Sequence, residues 1–212
     1  MMINVSYGTW ETVWSFLHRA LVLNLALAVA NLPLLAALAI VAEPTAYPLF
    51  FATLTLSVGP SVAAAFGYLH GETSYVAAYR RFLRPALLRG ALTTALLGVL
   101  VADVVALHDH PAGAYLVPLF VVLAVLVTAA GVVSLALLPL RPGTRLWPGL
   151  LTAAYAAVRR WWLSGLTLLV LAAAAVAVNQ APVLGLATLP GCALILAWVN
   201  SAASLREPAR ES

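Results

Sequence analysis

Six predominantly apolar runs, at 17–42, 47–69, 87–107, 114–138, 161–178 and 183–204, take up most of the 212 residues. A hydrocarbon core needs about 20 apolar residues per helix, within a range of about 17 to 25. Inside lipid a chain must satisfy its own backbone hydrogen bonds, so runs of this length point to helices. The segments between them, "EPTAYP", "HDHPAG", "LRPGTRLWPG" and "NQAP", are rich in helix breakers. Only 8% of residues are charged, far below the roughly 25% of soluble domains, and the mean hydropathy is +1.02. The expectation is an all-α polytopic membrane protein: six transmembrane helices within one domain, 1–205, and a short tail, 206–212. The first run follows no basic residue and outlasts the h-region of a signal peptide, about 7 to 15 residues, so it reads as a retained helix.

The chain has no lysine, and its eleven basic residues are all arginines. Arg19 opens the first run. Arg80, Arg81, Arg84 and Arg89 fill the second connection and its exit, Arg141, Arg145, Arg159 and Arg160 the fourth, and Arg206 and Arg210 the tail. The first, third and fifth connections hold none. With six spans every arginine falls on one side, which the positive-inside rule makes the cytoplasm, with both termini there. The net charge of +4 is therefore a signal of topology and of anionic lipid headgroups, and nucleic acid is not an expected partner.

Two short stretches concentrate this charge. At about 100° per residue, Tyr75, Tyr79 and Phe82 share one side of a helix and Arg80, Arg81 and Arg84 the other. Such a helix is expected to lie in the membrane interface, aromatic groups toward the acyl boundary and guanidinium groups toward phosphate. In "AAYAAVRRWW", 79 residues on, Ala156, Ala157, Arg159 and Arg160 repeat Ala77, Ala78, Arg80 and Arg81. Either this marks a parallel repeat about the membrane normal or it is a coincidence among small and basic residues. The two helices would form a basic cytoplasmic collar, whose candidate docking residues are Arg80, Arg81, Arg84, Arg159 and Arg160.

Polar residues within the runs are few. Asn24 and Asn31, seven apart, share a face of the first run, and Pro33 follows. They form either a helix–helix hydrogen-bond seam or, with the carbonyl freed by Pro33, one wall of a polar pocket. Thr53, Thr55, Ser57, Gly59, Pro60 and Ser61 make the second run the most breakable, and a kink is expected at 58–61. Discontinuous helices of this kind are structural in many proteins and build transporter sites in others. The candidate pocket comprises Asn24, Asn31, Pro33, Gly59, Pro60 and Ser61. Asp103, about a turn from the outer end of its run, reads as an interfacial acid or a ligand for solute or ion. His108 to His110 read as a solvated turn, since adjacent ligands rarely close a tetrahedral metal site. Trp161 and Trp162 read as aromatic-belt anchors, and Cys192 as a small buried apolar residue. Asn200, Ser201 and Ser204 have either the first-run amides or a partner to bind.

One cysteine excludes a disulfide framework and a four-cysteine cluster. No GxGxxG after a strand, P-loop or HExxH is present. No catalytic residue, metal or cofactor is expected, and the chain is not expected to be an enzyme.

The segments "LNLALAVANLP" (23–33), "VGPSVAAAF" (58–66), "GETSYVAAYRRF" (71–82), "AVRRWWLSGL" (157–166) and "AWVNSAASL" (197–205) together resemble the YesL (DUF624) family, in its actinobacterial form. The resemblance runs over about residues 16 to 205. It departs in having "NLAL" for the family's aromatic-rich "NLLW", and Ser61 for the alanine after Gly-Pro. It implies a bacterial inner-membrane protein without assigned activity, often encoded beside carbohydrate ABC importers. Some relatives carry a ferredoxin-NADPH reductase label, which does not fit a chain with no dinucleotide-binding unit and one cysteine. The resulting expectation is an accessory or regulatory protein linked to carbohydrate uptake, with a carbohydrate ABC importer as partner. The alternative is a small solute transporter or channel with a polar site between the first and second spans.

Overall fold

The computed structural model describes residues 7–43, 46–72, 74–107, 113–180 and 182–205. Among these the regular structure is helical: α1 (Tyr7–Ala30), α2 (Leu32–Ile40), α3 (Pro48–Thr55), α4 (Val58–His70), α5 (Tyr75–Leu107), α6 (Gly113–Leu140), α7 (Leu146–Arg159), α8 (Trp161–Gln180) and α9 (Pro182–Leu205). Pro48–His70, taken across the two-residue turn between α3 and α4, Tyr75–Leu107 and Tyr115–Leu140 are each long and apolar enough to cross a membrane. The pairs α1–α2 and α7–α8 qualify only together, bent by 67° and 95°, and the apolar part of α9, Leu189–Leu205, is shorter. Among the described residues that makes three membrane-length helices, or five if each bent pair is one span, against the six expected.

The surface supports a lipid setting. Leu25, Val29, Val105, Leu169 and Val176 all point outward and are more than half exposed, which for a bundle in water would be an uncovered apolar shell. The interior is built from small residues. Ala63, Ala64, Ala65, Ala78, Ala86 and Ala136 are fully buried around Leu23, Phe66 and Phe82, joining α1, α4, α5, α6 and α9. Lipid tails are as apolar as leucine, so helices in a bilayer gain by close backbone approach and by hydrogen bonds across helices. Gly59 illustrates the first: a Cβ there would stand 3.1 Å from the Ala86 carbonyl and 3.3 Å from Gly90 Cα.

The break expected in the second run occurs, slightly displaced, and the first run, expected to be continuous, breaks as well. Helix α1 ends at Asn31, because Pro33 has no N–H for the carbonyl four residues back, and α2 restarts with this proline in its first turn. The second break falls at Leu56–Ser57, not at 58–61. Pro60 is the third residue of α4, where a helix has no internal partner for an N–H anyway, so it begins a helix without bending one.

The two Arg/aromatic stretches fold differently. Residues 146–159 form a separate helix, turned 95° from α8. The first stretch is not separate: it is the opening of the 33-residue α5 and runs through Pro85. Its aromatic face also turns the other way from the expectation. Tyr75 and Phe82 are buried against α4, and Tyr79 packs beside them. An aromatic stripe satisfies helix packing as readily as lipid, and here Gly67 leaves the room that Phe82 fills.

Candidate functional site

Asn31 joins the two breaks. Its Nδ2 donates to the Leu27 carbonyl and to Ser61 Oγ, both at 2.9 Å, and its Oδ1 accepts from Ser57 Oγ at 3.0 Å. One amide therefore links the end of α1 to the α3–α4 turn and to the first turn of α4. The network continues to α5, where the Tyr75 hydroxyl donates to the Ser61 carbonyl at 3.1 Å. Two turns earlier, Asn24 Oδ1 accepts the backbone N–H of Gly191. Pro190 precedes that N–H and disturbs the local helical ladder of α9, so an α1 amide meets α9 at its irregular point.

These side chains border a cleft of about 370 Å³ between α1–α2, α4, α8 and α9. Asn24, Asn31 and Ser61 supply its polar edge; Leu27, Val58, Val62, Leu171 and Leu194 are among its apolar walls. The seam and the pocket are thus one place: the amides are bonded across helices and still line a cleft. Pro33, Gly59 and Pro60 do not line it. Pro33 is exposed and Pro60 buried, while Gly59 faces α5 and borders a second cavity of about 350 Å³ with Thr55, Thr93, Thr94 and Thr128. Val58, Val62, Leu171 and Leu194 belong to both cavities and separate them.

Several arginines lie where elements of the bundle meet. His70 at the end of α4 stacks edge-on against Trp198 of α9, with centroids 5.6 Å apart, and Arg160 at the α7–α8 bend donates to the Ala203 carbonyl near the end of α9. Arg89 of α5 reaches Thr144 in the α6–α7 connection. Arg80, Arg84, Arg145 and Arg159 are exposed; among the described residues the one ion pair is Arg81 with Glu72. Arg160 is half-buried and structural rather than free. On α7, Gly149, Ala153, Ala156 and Ala157 face the bundle, whereas Trp147, Leu151, Tyr155 and Val158 point outward.

Sequence reasoning missed Arg89. It is buried, with Nη1 donating to the Ser134 carbonyl and Nη2 to the Thr144 carbonyl at 3.2 Å. It clamps α6 and the loop after it onto α5. The signal was present in the spacing: Tyr75, Ala78, Phe82, Ala86 and Arg89 recur every three or four residues and form the buried stripe of α5.

Other expectations resolve singly. Asp103 and Cys192 are half-buried, and Trp161 and Trp162 are exposed. Asn200 bonds Thr167 of α8 at 3.2 Å and not the α1 amides. The 79-residue match keeps Ala78 and Ala157 inward and Arg80 and Arg159 outward, but one helix continues through the first copy and the second ends at a 95° bend. His108 to His110, Arg206 and Arg210 lie outside the described residues. Among the described residues no three His, Cys, Asp or Glu side chains come together. Comparison with known protein families, curated proteins and solved structures finds no match.

Proposed function

We propose that the chain is a non-enzymatic accessory protein of the bacterial inner membrane, with six spans and both termini in the cytoplasm. Its basic end holds anionic headgroups and docks a membrane partner. The observation that carries this reading is α7: a helix turned 95° from α8, with Trp147, Leu151, Tyr155 and Val158 outward and exposed Arg145 and Arg159 at its ends. An amphipathic helix so composed suits the plane of an anionic leaflet. The partner class, a carbohydrate importer, rests on the resemblance to the YesL family.

The test reverses Arg80, Arg84 and Arg159 to glutamate together; Arg160 is spared because it holds Ala203. Each basic residue near an anionic surface contributes about 1 kcal/mol, so removing three weakens the attraction roughly 100-fold. The variant is expected to lose copurified anionic lipid and copurified protein while keeping its melting temperature. Unchanged lipid, partners and membrane orientation would dismiss the docking role.

The cleft favours a second reading, a small-solute transporter or channel, because Asn24, Asn31 and Ser61 offer polar groups on an otherwise apolar wall. Here Asn31→Leu is expected to abolish flux of a permeant solute in proteoliposomes without unfolding the protein. Equal flux through parent and variant would count against it.

A further inference from the structure

Four buried hydroxyls surround a small cavity between α8 and α9. Ser164 and Thr167 of α8 and Ser201 and Ser204 of α9 line a space of about 10 Å³, closed on the α6 side by apolar residues. Each of the four is more than nine-tenths buried.

Three of them have already committed their protons. Ser164 Oγ donates to the Ala157 carbonyl at 3.1 Å, Thr167 Oγ1 to the Leu163 carbonyl at 2.9 Å and Ser204 Oγ to the Asn200 carbonyl at 2.9 Å. The oxygens of Ser164 and Ser204 therefore meet the cavity as acceptors, and that of Thr167, which already accepts from Asn200 Nδ2 at 3.2 Å, keeps one lone pair. Ser201 Oγ is the exception: it is 2% exposed and has no hydrogen-bond partner among the described residues. A buried hydroxyl left unpaired keeps its full desolvation penalty, and native structures seldom leave one so.

We propose that one water molecule occupies this cavity, accepting the Ser201 O–H and donating to two of the oxygens of Ser164, Thr167 and Ser204. The space is of the size a single water needs, about 10 to 15 Å³, and supplies its usual two to four polar partners. A monovalent cation of similar size leaves the Ser201 proton without an acceptor, so the donor count selects water. The water ties α8 to α9 just beyond the α7–α8 bend, where Ser164 already holds Ala157 of α7 and Arg160 holds Ala203. It thus belongs to the clasp that fixes α7 to the bundle, and the inference does not depend on what α7 docks.

The sign of one substitution tests it. If the cavity is dry, Ser201→Ala removes an orphaned polar group and the protein melts at or above the parent temperature. If water is bound, the variant deprives it of its donor, and the melting temperature falls by about 2 to 4 °C. Ser164→Ala combined with Ser201→Ala is then expected to cost less than the two singles added, because both act through the same molecule. An experimental map of the parent protein in nanodiscs should show a peak at hydrogen-bond distance from Ser201 Oγ, and this decides the matter if the variant does not fold. Stabilisation by Ser201→Ala, a featureless cavity, or a peak at metal-ligand distance that stabilises only in sodium and not in choline would overturn the proposal.

Discussion

Arg89→Ala is expected to lower stability by about 3–5 kcal/mol, since two hydrogen bonds from a charged donor contribute about 1.5–3 kcal/mol each. The guanidinium reaches the carbonyls of Ser134, within α6, and of Thr144, in the following loop. Its stem is among the largest fully buried side chains, so truncation also opens a cavity. Arg89→Met restores most of the apolar volume without the donors and is expected to recover only the packing share. Arg89→Lys has one compact ammonium for two carbonyls that Arg spans with a planar fork, and should fall between. Thermal melting of the three variants in one detergent measures this. An Arg89→Met protein as stable as the parent would show that the clamp consists of packing alone.

Gly191→Ala should be nearly as damaging. A methyl group there would stand 2.6 Å from the Ala20 carbonyl and 2.9 Å from Asn24 Oδ1. Both obstacles are on α1, and one of them is backbone, so the added carbon must push α1 away from α9. Overpacking of this kind, with the Asn24 bond lost as well, is expected to cost about 2–4 kcal/mol. Gly165→Ala is the control: nothing lies within 4 Å of its Cβ, and an alanine within a helix should add up to about 1 kcal/mol. If the two variants melt alike, α1 and α9 do not meet as closely as described.

The second of these effects is invisible in the sequence. Gly191 and Gly165 are both glycines in apolar helices, and only the approach of α1 separates them. Asn24 and Asn31 marked their face correctly by their spacing of seven, yet their partners, Gly191 in α9 and the serines beside the α3–α4 turn, lie 167, 30 and 26 residues away. The expected pocket also took in Gly59 and Pro60, because they adjoin Ser61 in the sequence and mark the second run as breakable. In the fold Gly59 serves the contact with α5, and Pro60 opens α4.

The sequence by itself determined the properties that a one-dimensional chain shares with a slab of lipid: the apolar run lengths, the crowding of arginine into alternate connections, and the breakable character of the second run. These depend on local composition, and hydrocarbon reads local composition directly. Only the tertiary structure decided that the aromatic face of α5 turned inward. In α5 the stripe from Tyr75 through Phe82 to Arg89 was as regular as a lipid-facing one. An aromatic side chain gains by leaving water whether it enters lipid or a helix interface. The choice fell to Gly67, which leaves space for the Phe82 ring, and to the carbonyls of Ser134 and Thr144, which made a buried arginine tolerable.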